Sequence, residues 1–482
     1  MSRISTVMNP RNIPLLCDYY EYTMSNGYME NGLADRIVYF DLYFRNVPDG
    51  GGFAVAAGLE QLVSYITELR FDESDIEFMR SKGVFGERFL EYLKNFRFTG
   101  DVYAIPEGTP VFPGEPIVTI RANAIEAQIL ETFALLTMNH QTLIATKASR
   151  IVRAAEGRVV LEFGSRRAQG TDAAVLGARA AYIAGCGGTA CTVSDKWYGV
   201  PASGTMAHSW VQMFPSEYEA FTAFCKLYPD NATLLVDTYD TIHSGIPNAI
   251  KVFKEFGLEK CAIRLDSGDL SFLTKKARKM LDDAGLRQCK IIVSNALDEW
   301  LIRDLLEQGA KIDGFGVGDN LITSHSDPVF NGVYKLVAVE DSGVIIPKIK
   351  ISENMGKLTT PGFKKVFRIY DRNGMALADQ VCLHDETIDE NEPLELFDPD
   401  ATWKRKTVKD FTVRELQVPV IINGKQVYEL PSLGDIRKYH GEQMATLWDE
   451  VKRFTNPHRY YVDLSQKLWD LRDRMLHNKG RN

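Results

Sequence analysis

Hydrophobic and polar residues alternate between two kinds of segment from residue 156 to residue 345. Three longer segments at 248–256, 270–284 and 299–308 have one apolar stripe, which predicts helices, and Gly257, Gly285 and Gly309 follow them as expected of helix C-caps. Between and around them lie short apolar runs that end in small and polar residues. The seven runs are 159–162, 189–193, 206–211, 233–237, 261–266, 290–294 and 314–317. Alternating strands and helices predict a parallel sheet, and about seven strands predict a closed or nearly closed α/β barrel.

The regions before and after these alternating segments have a mixed pattern of hydrophobic and polar residues. Residues 38–44 alternate like a strand, 57–66 have helical spacing, and 124–155 form a long helical stretch. Residues 464–477 predict a terminal amphipathic helix. We therefore expect an N-terminal α+β domain at 1–140, an α/β barrel with the active site at 141–345, and a C-terminal extension at 346–482 that packs on the other two.

Charge and cysteine content narrow the class of protein. The net charge is −8, and basic clusters such as Arg166-Arg167 are short, which fits a small phosphate ligand and excludes a nucleic-acid partner. The seven cysteines include no Cys-x-x-Cys pair, which is typical of reduced thiols in the cytoplasm. No apolar run approaches the roughly 20 residues that cross a bilayer, so no membrane partner is expected.

Polar residues follow each predicted strand, where the active sites of α/β barrels form. Arginines and glycine-rich turns bind phosphate, and aspartates bind ribose hydroxyls or Mg²⁺ through water. The residues that stand out are Phe163, Arg166, Thr189, Thr205, His208, Arg264, Asp266, Asp269, Gly316, Gly318 and Asp319. Together they predict a phosphorylated, sugar-containing, metal-bound substrate. Individually, Asp269 could instead cap the following helix, Arg166 could be solvated, and a lone histidine is often structural.

At these residues the chain resembles the nicotinate phosphoribosyltransferase family, a type II phosphoribosyltransferase family. The resemblance covers nearly the whole chain, and its motifs are specific only in combination. They are Leu16-Cys17-Asp18-Tyr19-Tyr20-Glu21-Tyr22-Thr23-Met24, Glu162-Phe163-Gly164-Ser165-Arg166-Arg167, Gly204-Thr205-Met206-Ala207-His208-Ser209, Arg264-Leu265-Asp266-Ser267-Gly268-Asp269 and Gly332-Val333-Tyr334-Lys335-Leu336. The resemblance implies an irregular α/β barrel with a mixed α+β domain built from N-terminal and C-terminal segments.

The resemblance also implies a reaction. The family transfers phosphoribose from phosphoribosyl pyrophosphate to the ring nitrogen of nicotinate. The products are nicotinate mononucleotide, which serves NAD biosynthesis, and pyrophosphate. ATP hydrolysis is coupled to this transfer through a transient phosphohistidine, a ligase-type reaction, and the motif places that histidine at His208. Mg²⁺ and ATP are therefore expected as cofactor and co-substrate.

Individual roles follow from the same resemblance. Arg166 and Arg264 would bind anions, with Arg264 and Asp266 in the catalytic set beside His208. Asp266 and Asp269 would hold ribose hydroxyls or hydrated Mg²⁺. The remaining predicted contacts are the Gly316–Gly318 turn and Asp319 for phosphate, Phe163 and Tyr20 for the pyridine ring, and Thr189 and Thr205 for nicotinate. Tyr20 would come from the second subunit of a head-to-tail homodimer with shared active sites.

Other functions remain open. A nicotinamide phosphoribosyltransferase is the main alternative. The sister family, which uses nicotinamide, has an aspartate at the position that falls on Thr189. An aspartate would repel a carboxylate whereas a hydroxyl can donate to it, so this position favours nicotinate. Quinolinate enzymes are shorter and lack the His208 block. A barrel that binds phosphorylated metabolites without turnover is a third possibility, while a Schiff-base aldolase would need a lysine at a strand end.

Overall fold

The computed structural model describes residues 12–352 and 358–479. The strands are β1 (Ile37–Phe44), β2 (Ala54–Val55), β3 (Asp101–Ala104), β4 (Pro110–Val111), β5 (Val118–Asn123), β6 (Val159–Glu162), β7 (Gly188–Thr189), β8 (Ala232–Leu235), β9 (Cys261–Leu265), β10 (Lys290–Ser294), β11 (Gly314–Val317), β12 (Gly332–Asp341), β13 (Val344–Pro347), β14 (Lys364–Tyr370), β15 (Ala376–Leu383), β16 (Leu394–Phe397), β17 (Arg405–Val408), β18 (Thr412–Glu415), β19 (Val418–Ile422), β20 (Lys425–Gln426) and β21 (Val462–Leu464). The helices are α1 (Tyr19–Glu30), α2 (Leu59–Glu68), α3 (Glu73–Ser81), α4 (Glu87–Lys94), α5 (Ala124–Gln128), α6 (Glu131–Ala154), α7 (Thr171–Ile183), α8 (Thr192–Tyr198), α9 (His208–Gln212), α10 (Glu217–Leu227), α11 (Ile246–Phe256), α12 (Leu270–Asp283), α13 (Glu299–Glu307), α14 (Asp319–Ile322), α15 (Leu433–Ala445) and α16 (Gln466–Lys479). The chain divides into two compact units: one holds residues 1–143 and 329–482, and the other holds 144–328.

The unit at 144–328 contains a six-stranded sheet in the order β7-β6-β11-β10-β9-β8. Every pairing in it is parallel. The buried strands are short and apolar, and α11, α12 and α13 each bury one stripe, as alternation predicts. The predicted α/β class is therefore confirmed, as a half barrel whose carboxyl strand ends all lie at one edge.

Two features of the structure differ from the predicted pattern. The run 206–211 is not a strand: its second half forms α9, so the hydrogen-bonded sheet has six strands instead of seven. The long helix expected at 124–155 is two helices, α5 and α6. Gly257, Gly285 and Gly309 do adopt positive φ directly after or near the ends of their helices, as the C-cap prediction requires.

The other unit is an α+β structure built from both ends of the chain. Its seven-stranded sheet has the order β13-β12-β1-β5-β3-β19-β20, and a four-stranded sheet has the order β18-β14-β15-β21. N-terminal β3 pairs with C-terminal β19, so the two segments share one sheet, as the resemblance implies. Strand β12, which we expected within the barrel region, pairs with β1 in this unit.

A buried ion pair fixes the four-stranded sheet. Arg368 on β14 lies opposite Asp379 on β15 and donates two hydrogen bonds to its carboxylate, at 2.8 and 2.6 Å. The hydroxyl of Tyr460 donates a third, at 3.0 Å. Since both charged side chains are fully buried, these bonds offset the loss of hydration that burial imposes on them.

Helix α1 buries a carboxyl group whose titration should be visible in stability. Glu21 accepts hydrogen bonds from Cys17, at 2.9 Å, and from Thr132. Burial is the main cause that raises the pKa of Glu21 from 4.5 to about 7, and the two hydrogen bonds oppose the rise. The folded chain thus holds a proton that the unfolded chain releases near pH 4.5.

We expect the free energy of unfolding to fall as pH rises from about 4.5 to about 7, because the stabilising proton on Glu21 is lost there. Glu21→Gln should remove on the order of 1–3 kcal/mol of this pH dependence. Urea unfolding at pH 5 and pH 8 measures it. Glu30→Gln, on the exposed end of the same helix, is the control, and equal slopes in all three chains would contradict the assignment.

None of the helices within 12–352 and 358–479 combines the length and the apolar composition that crossing a bilayer requires.

Candidate active site

His208 stands at the edge where the carboxyl ends of the parallel strands meet. It is the first residue of α9, and its Nδ1 lies 3.1 Å from the hydroxyl oxygen of Thr238, which follows β8. Its Nε2 lies 3.9 Å from a carboxylate oxygen of Asp266, which follows β9. Both His208 and Asp266 keep about a third of their side-chain area exposed, so a ligand can reach them. The structure therefore brings together two of the three residues that we predicted as catalytic.

Asp266 is held in place by three neighbouring strand ends. Its Oδ1 accepts a hydrogen bond from Ser294 at the end of β10, and its backbone N–H donates to Asp237 at 2.7 Å. The same oxygen of Asp237 accepts from Ser267, also at 2.7 Å. Its other oxygen is buried and has no hydrogen-bond partner in the part of the chain that the structure describes. These contacts leave Oδ2 of Asp266 directed at His208.

Arg264 is the third predicted catalytic residue, and it borders the same carboxylate. Its Nη2 lies 3.8 Å from Asp266, while Nη1 donates to the hydroxyl of Thr205 at 2.6 Å and to the backbone oxygen of Met206 at 3.2 Å. Its Nε is buried and has no hydrogen-bond partner within residues 12–352 and 358–479. The pKa of Arg264 is lowered, mainly because the guanidinium is buried. The carboxylates of Asp266 and Asp237 oppose this fall, and the positive charge of Arg166 adds to it. The guanidinium thus orders the loop before His208.

A ring and a glycine define another part of the site. Phe163 follows β6, and its backbone N–H donates to Val317 on β11 at 2.7 Å. Its ring lies against Gly316, where an added Cβ would be only 2.5 Å from the ring. Gly164 is equally confined, since a Cβ there would be 2.7 Å from the backbone oxygen of Gly318. Gly316 therefore leaves room for the ring at the strand end, and Gly164 lets its turn approach the backbone of Gly318.

The side chain of Thr189 is engaged in hydrogen bonds within the protein. It is fully buried, its hydroxyl donates to Glu162 at 2.6 Å, and its oxygen accepts from the backbone of Cys191 at 2.9 Å. Burial raises the pKa of Glu162, which also accepts from the backbone N–H of Gly164. The hydroxyl proton that we expected to reach nicotinate is donated to Glu162 in this arrangement, so a direct contact between Thr189 and nicotinate stays a prediction.

The other predicted residues are more exposed. Asp269 caps α12 by accepting from Phe272 at 2.9 Å, which confirms the structural alternative for it. Asp319 begins α14 and Arg166 lies in the 3₁₀ turn Ser165–Arg167, both with solvent-exposed side chains. Tyr20 lies on α1 in the other unit, and burial together with Glu131 raises its pKa.

Four residues that hold this site together were not among the predicted contacts. Glu162, Asp237, Thr238 and Ser294 all stand at strand ends, and that position was the available signal. Their partners are other protein groups, as described above. No cluster of three or more histidine, cysteine or acidic side chains poised to bind a metal occurs in the described part of the chain.

Comparisons with known proteins agree with this geometry. Residues 15–139 match the nicotinate phosphoribosyltransferase (NAPRTase) N-terminal domain, residues 159–369 match the nicotinate phosphoribosyltransferase (NAPRTase) family, and residues 363–472 match its C-terminal domain. A nicotinate phosphoribosyltransferase from Bacillus subtilis (strain 168) is 43% identical over 97% of this chain and 96% of its own.

Two further relatives extend the comparison. A nicotinate phosphoribosyltransferase from Mycobacterium tuberculosis (strain ATCC 25618 / H37Rv) is 41% identical and covers 94% of this chain and 92% of its own. The crystal structure of human nicotinic acid phosphoribosyltransferase superposes with a TM-score of 0.84 at 29% identity, and covers 95% of this chain and 99% of that one. The chain therefore belongs to the nicotinate phosphoribosyltransferase family.

Proposed function

We propose that this chain transfers the phosphoribosyl group of phosphoribosyl pyrophosphate to the ring nitrogen of nicotinate, and that ATP hydrolysis drives the transfer through a phosphohistidine at His208. The products are nicotinate mononucleotide and pyrophosphate, a step of NAD biosynthesis, and the coupling makes the enzyme ligase-type. The supporting observation is the position of His208, whose Nε2 faces Asp266 across 3.9 Å at the strand-end edge. A neutral imidazole nitrogen is a competent nucleophile towards the γ-phosphate of ATP.

The transfer step depends on charge more than on covalent chemistry. As the bond between C1 and pyrophosphate lengthens, positive charge develops on the ribose and negative charge on the leaving group. The carboxylate of Asp266 would face the ribose, and Arg166 would attract pyrophosphate from its exposed turn. The buried Nε of Arg264 has no hydrogen-bond partner among the described residues, and it would donate to a phosphate oxygen of the bound substrate. Orientation of the two reactants supplies the remaining rate enhancement.

Magnesium is expected with phosphoribosyl pyrophosphate and ATP. Mg²⁺ usually binds through one or two carboxylates, water and substrate phosphates, so a cage of protein ligands is not needed. Asp266 and the unpartnered buried oxygen of Asp237 fit such a hydrated ion, and Asp269 would add a second-sphere charge from its cap position. When bound, the ion would neutralise charge on the pyrophosphate.

The acceptor ring would lie against Phe163. Arg264 already donates to the oxygen of Thr205, so the Thr205 hydroxyl can turn its proton towards the carboxylate of nicotinate. Gly316, Gly318 and Asp319 would surround the 5′-phosphate at the start of α14. We propose that Tyr20 of a second copy covers the other face of the ring, in a homodimer with shared active sites.

The location of the enzyme follows from its thiols. Six of the seven cysteines are buried. Reduced buried thiols are ordinary in a reducing compartment, and we propose that the chain acts in the cytoplasm.

Gly316→Ala should weaken nicotinate binding, because the added methyl group would lie 2.5 Å from the Phe163 ring and displace it. We expect KM for nicotinate to rise about tenfold, and KM for phosphoribosyl pyrophosphate to rise as well because Gly316 would also border the 5′-phosphate, both measured by initial rates. Gly441→Ala, where nothing lies within 4 Å of the added Cβ, is the control. An unchanged KM for nicotinate would remove Phe163 from the ring site.

Substrate choice is the test of the proposed function. The chain, Mg²⁺ and phosphoribosyl pyrophosphate are incubated with radiolabelled nicotinate or nicotinamide, with and without ATP. We expect labelled mononucleotide from nicotinate, and more of it with ATP. Product from nicotinamide alone would overturn the proposal in favour of the amide-specific reaction, and binding of phosphoribosyl pyrophosphate without pyrophosphate release would indicate a sensor.

A further inference from the structure

The imidazole of His208 has one hydrogen-bond partner among the described residues. That partner is the hydroxyl of Thr238, 3.1 Å from Nδ1. On the opposite side of the ring, the 3.9 Å that separate Nε2 from Asp266 exceed a hydrogen bond. The ring is therefore anchored at Nδ1 and open at Nε2.

Hydrogen bonds of the two preceding residues hold the backbone that carries Thr238. Thr238 lies three residues after the end of β8, and the backbone N–H of Val236 donates to the backbone oxygen of Arg264 on β9 at 3.1 Å. The preceding residue, Asp237, is buried and accepts two hydrogen bonds from the Asp266–Ser267 turn. The position of the Thr238 hydroxyl is thus tied to the same strand ends that place Asp266.

We propose that Thr238 is a positioning residue that accepts a hydrogen bond from Nδ1–H of His208, so that Nε2 keeps its lone pair and receives the phosphoryl group. This role rests on the proposed phosphorylation of His208. The nitrogen that lacks the proton is set by the hydrogen bond that the other nitrogen makes. With Nδ1 engaged, the nucleophile is the nitrogen that faces the opening beside Asp266.

The chemical step balances without moving a proton. A bond forms between Nε2 and the γ-phosphorus of ATP, while the bond from that phosphorus to the oxygen that bridges it to the β-phosphate breaks, and ADP leaves with the electron pair. The proton on Nδ1 stays on the ring, which becomes cationic. Thr238 then accepts a charge-assisted hydrogen bond, and Asp266 at 3.9 Å offsets the ring charge.

The test compares three variants with the unchanged chain. Thr238→Val keeps the side-chain shape and removes the hydroxyl, and Thr238→Ser keeps the hydroxyl. Thr233→Val makes the same change at the opposite end of β8 and is the control. Each chain is labelled with γ-labelled ATP and digested in alkali, and the two phosphohistidine isomers are separated. Transfer of phosphoribose to nicotinate without ATP is measured in parallel.

We expect label on Nε2 in the unchanged chain, in Thr238→Ser and in Thr233→Val. In Thr238→Val the rate of labelling should fall roughly tenfold to a hundredfold, the cost of a hydrogen bond to a charged group, and part of the label should move to Nδ1. ATP-independent transfer should be the same in Thr233→Val as in the unchanged chain, and thermal unfolding followed by circular dichroism shows that all four chains are folded.

Three results would overturn this role in distinguishable ways. Label on Nδ1 in the unchanged chain, or Thr238→Val labelled at the unchanged rate on Nε2, would refute the role of Thr238 while leaving the coupling intact. No label in the unchanged chain, with ATP-independent transfer still present, would refute the coupling itself and the positioning role with it.

Discussion

His208→Ala should abolish the transfer of label from γ-labelled ATP to the protein and leave slow, ATP-independent transfer of phosphoribose. The nucleophilic nitrogen is lost, but Asp266 and Arg264 keep their own contacts through Ser294, Asp237 and Thr205. We expect the ATP-stimulated rate to fall about 10²- to 10³-fold, to the level without ATP. Label that stays with the protein on a denaturing gel measures phosphorylation by ATP, and pyrophosphate release measures phosphoribose transfer.

His243→Ala is the matched control for this variant. His243 lies on the helical turn Thr241–Gly245 that follows β8, and its side chain is 83% exposed. Its side chain bonds to Asp240 and not to the residues of the active site. It should label as the unchanged chain does. If His208→Ala still accepts the γ-phosphate, another residue is the acceptor and the proposed coupling through His208 fails.

Hydrophobic periodicity predicted the half barrel well because buried parallel strands are short apolar runs. The strands β6, β9, β10 and β11 and the helices α11, α12 and α13 lie within a few residues of their predicted positions. The run 206–211 misled because Met206 and Val211 are buried from a loop and a short helix, and burial alone does not distinguish these from a strand. The pairing of β12 with β1 joins residues about 300 apart, which no local pattern encodes.

The site was predictable in location but not in its hydrogen bonds. Carboxyl ends of parallel strands meet at one edge, so His208, Arg264 and Asp266 could be placed together before any distance was known. The same rule could not separate ligand contacts from supporting ones. Asp269 caps a helix and Thr189 bonds to Glu162, because a carboxylate or hydroxyl at a strand end serves either purpose.

Asp266 differs from His208 in what its loss should remove. Its carboxylate lies within 4 Å of both Arg264 and His208. A charge at this point would act on the ribose in every turnover, whether or not ATP is present. Its effect should therefore persist when the coupling is absent, which separates its role from that of a phosphorylated residue.

Asp266→Asn keeps the size of the side chain and removes its charge. This variant and His208→Ala should differ in the rate of ATP-independent transfer. We expect that rate to fall about 10²- to 10³-fold in Asp266→Asn, the cost of losing one preorganised electrostatic group, but to survive in His208→Ala. Initial rates of pyrophosphate release without ATP measure it. Asp298→Asn, at the N-cap of α13 where asparagine also caps, controls for the loss of a strand-end carboxylate. An ATP-independent rate in Asp266→Asn within about threefold of the unchanged chain would mean that this carboxylate serves the fold and not the reaction.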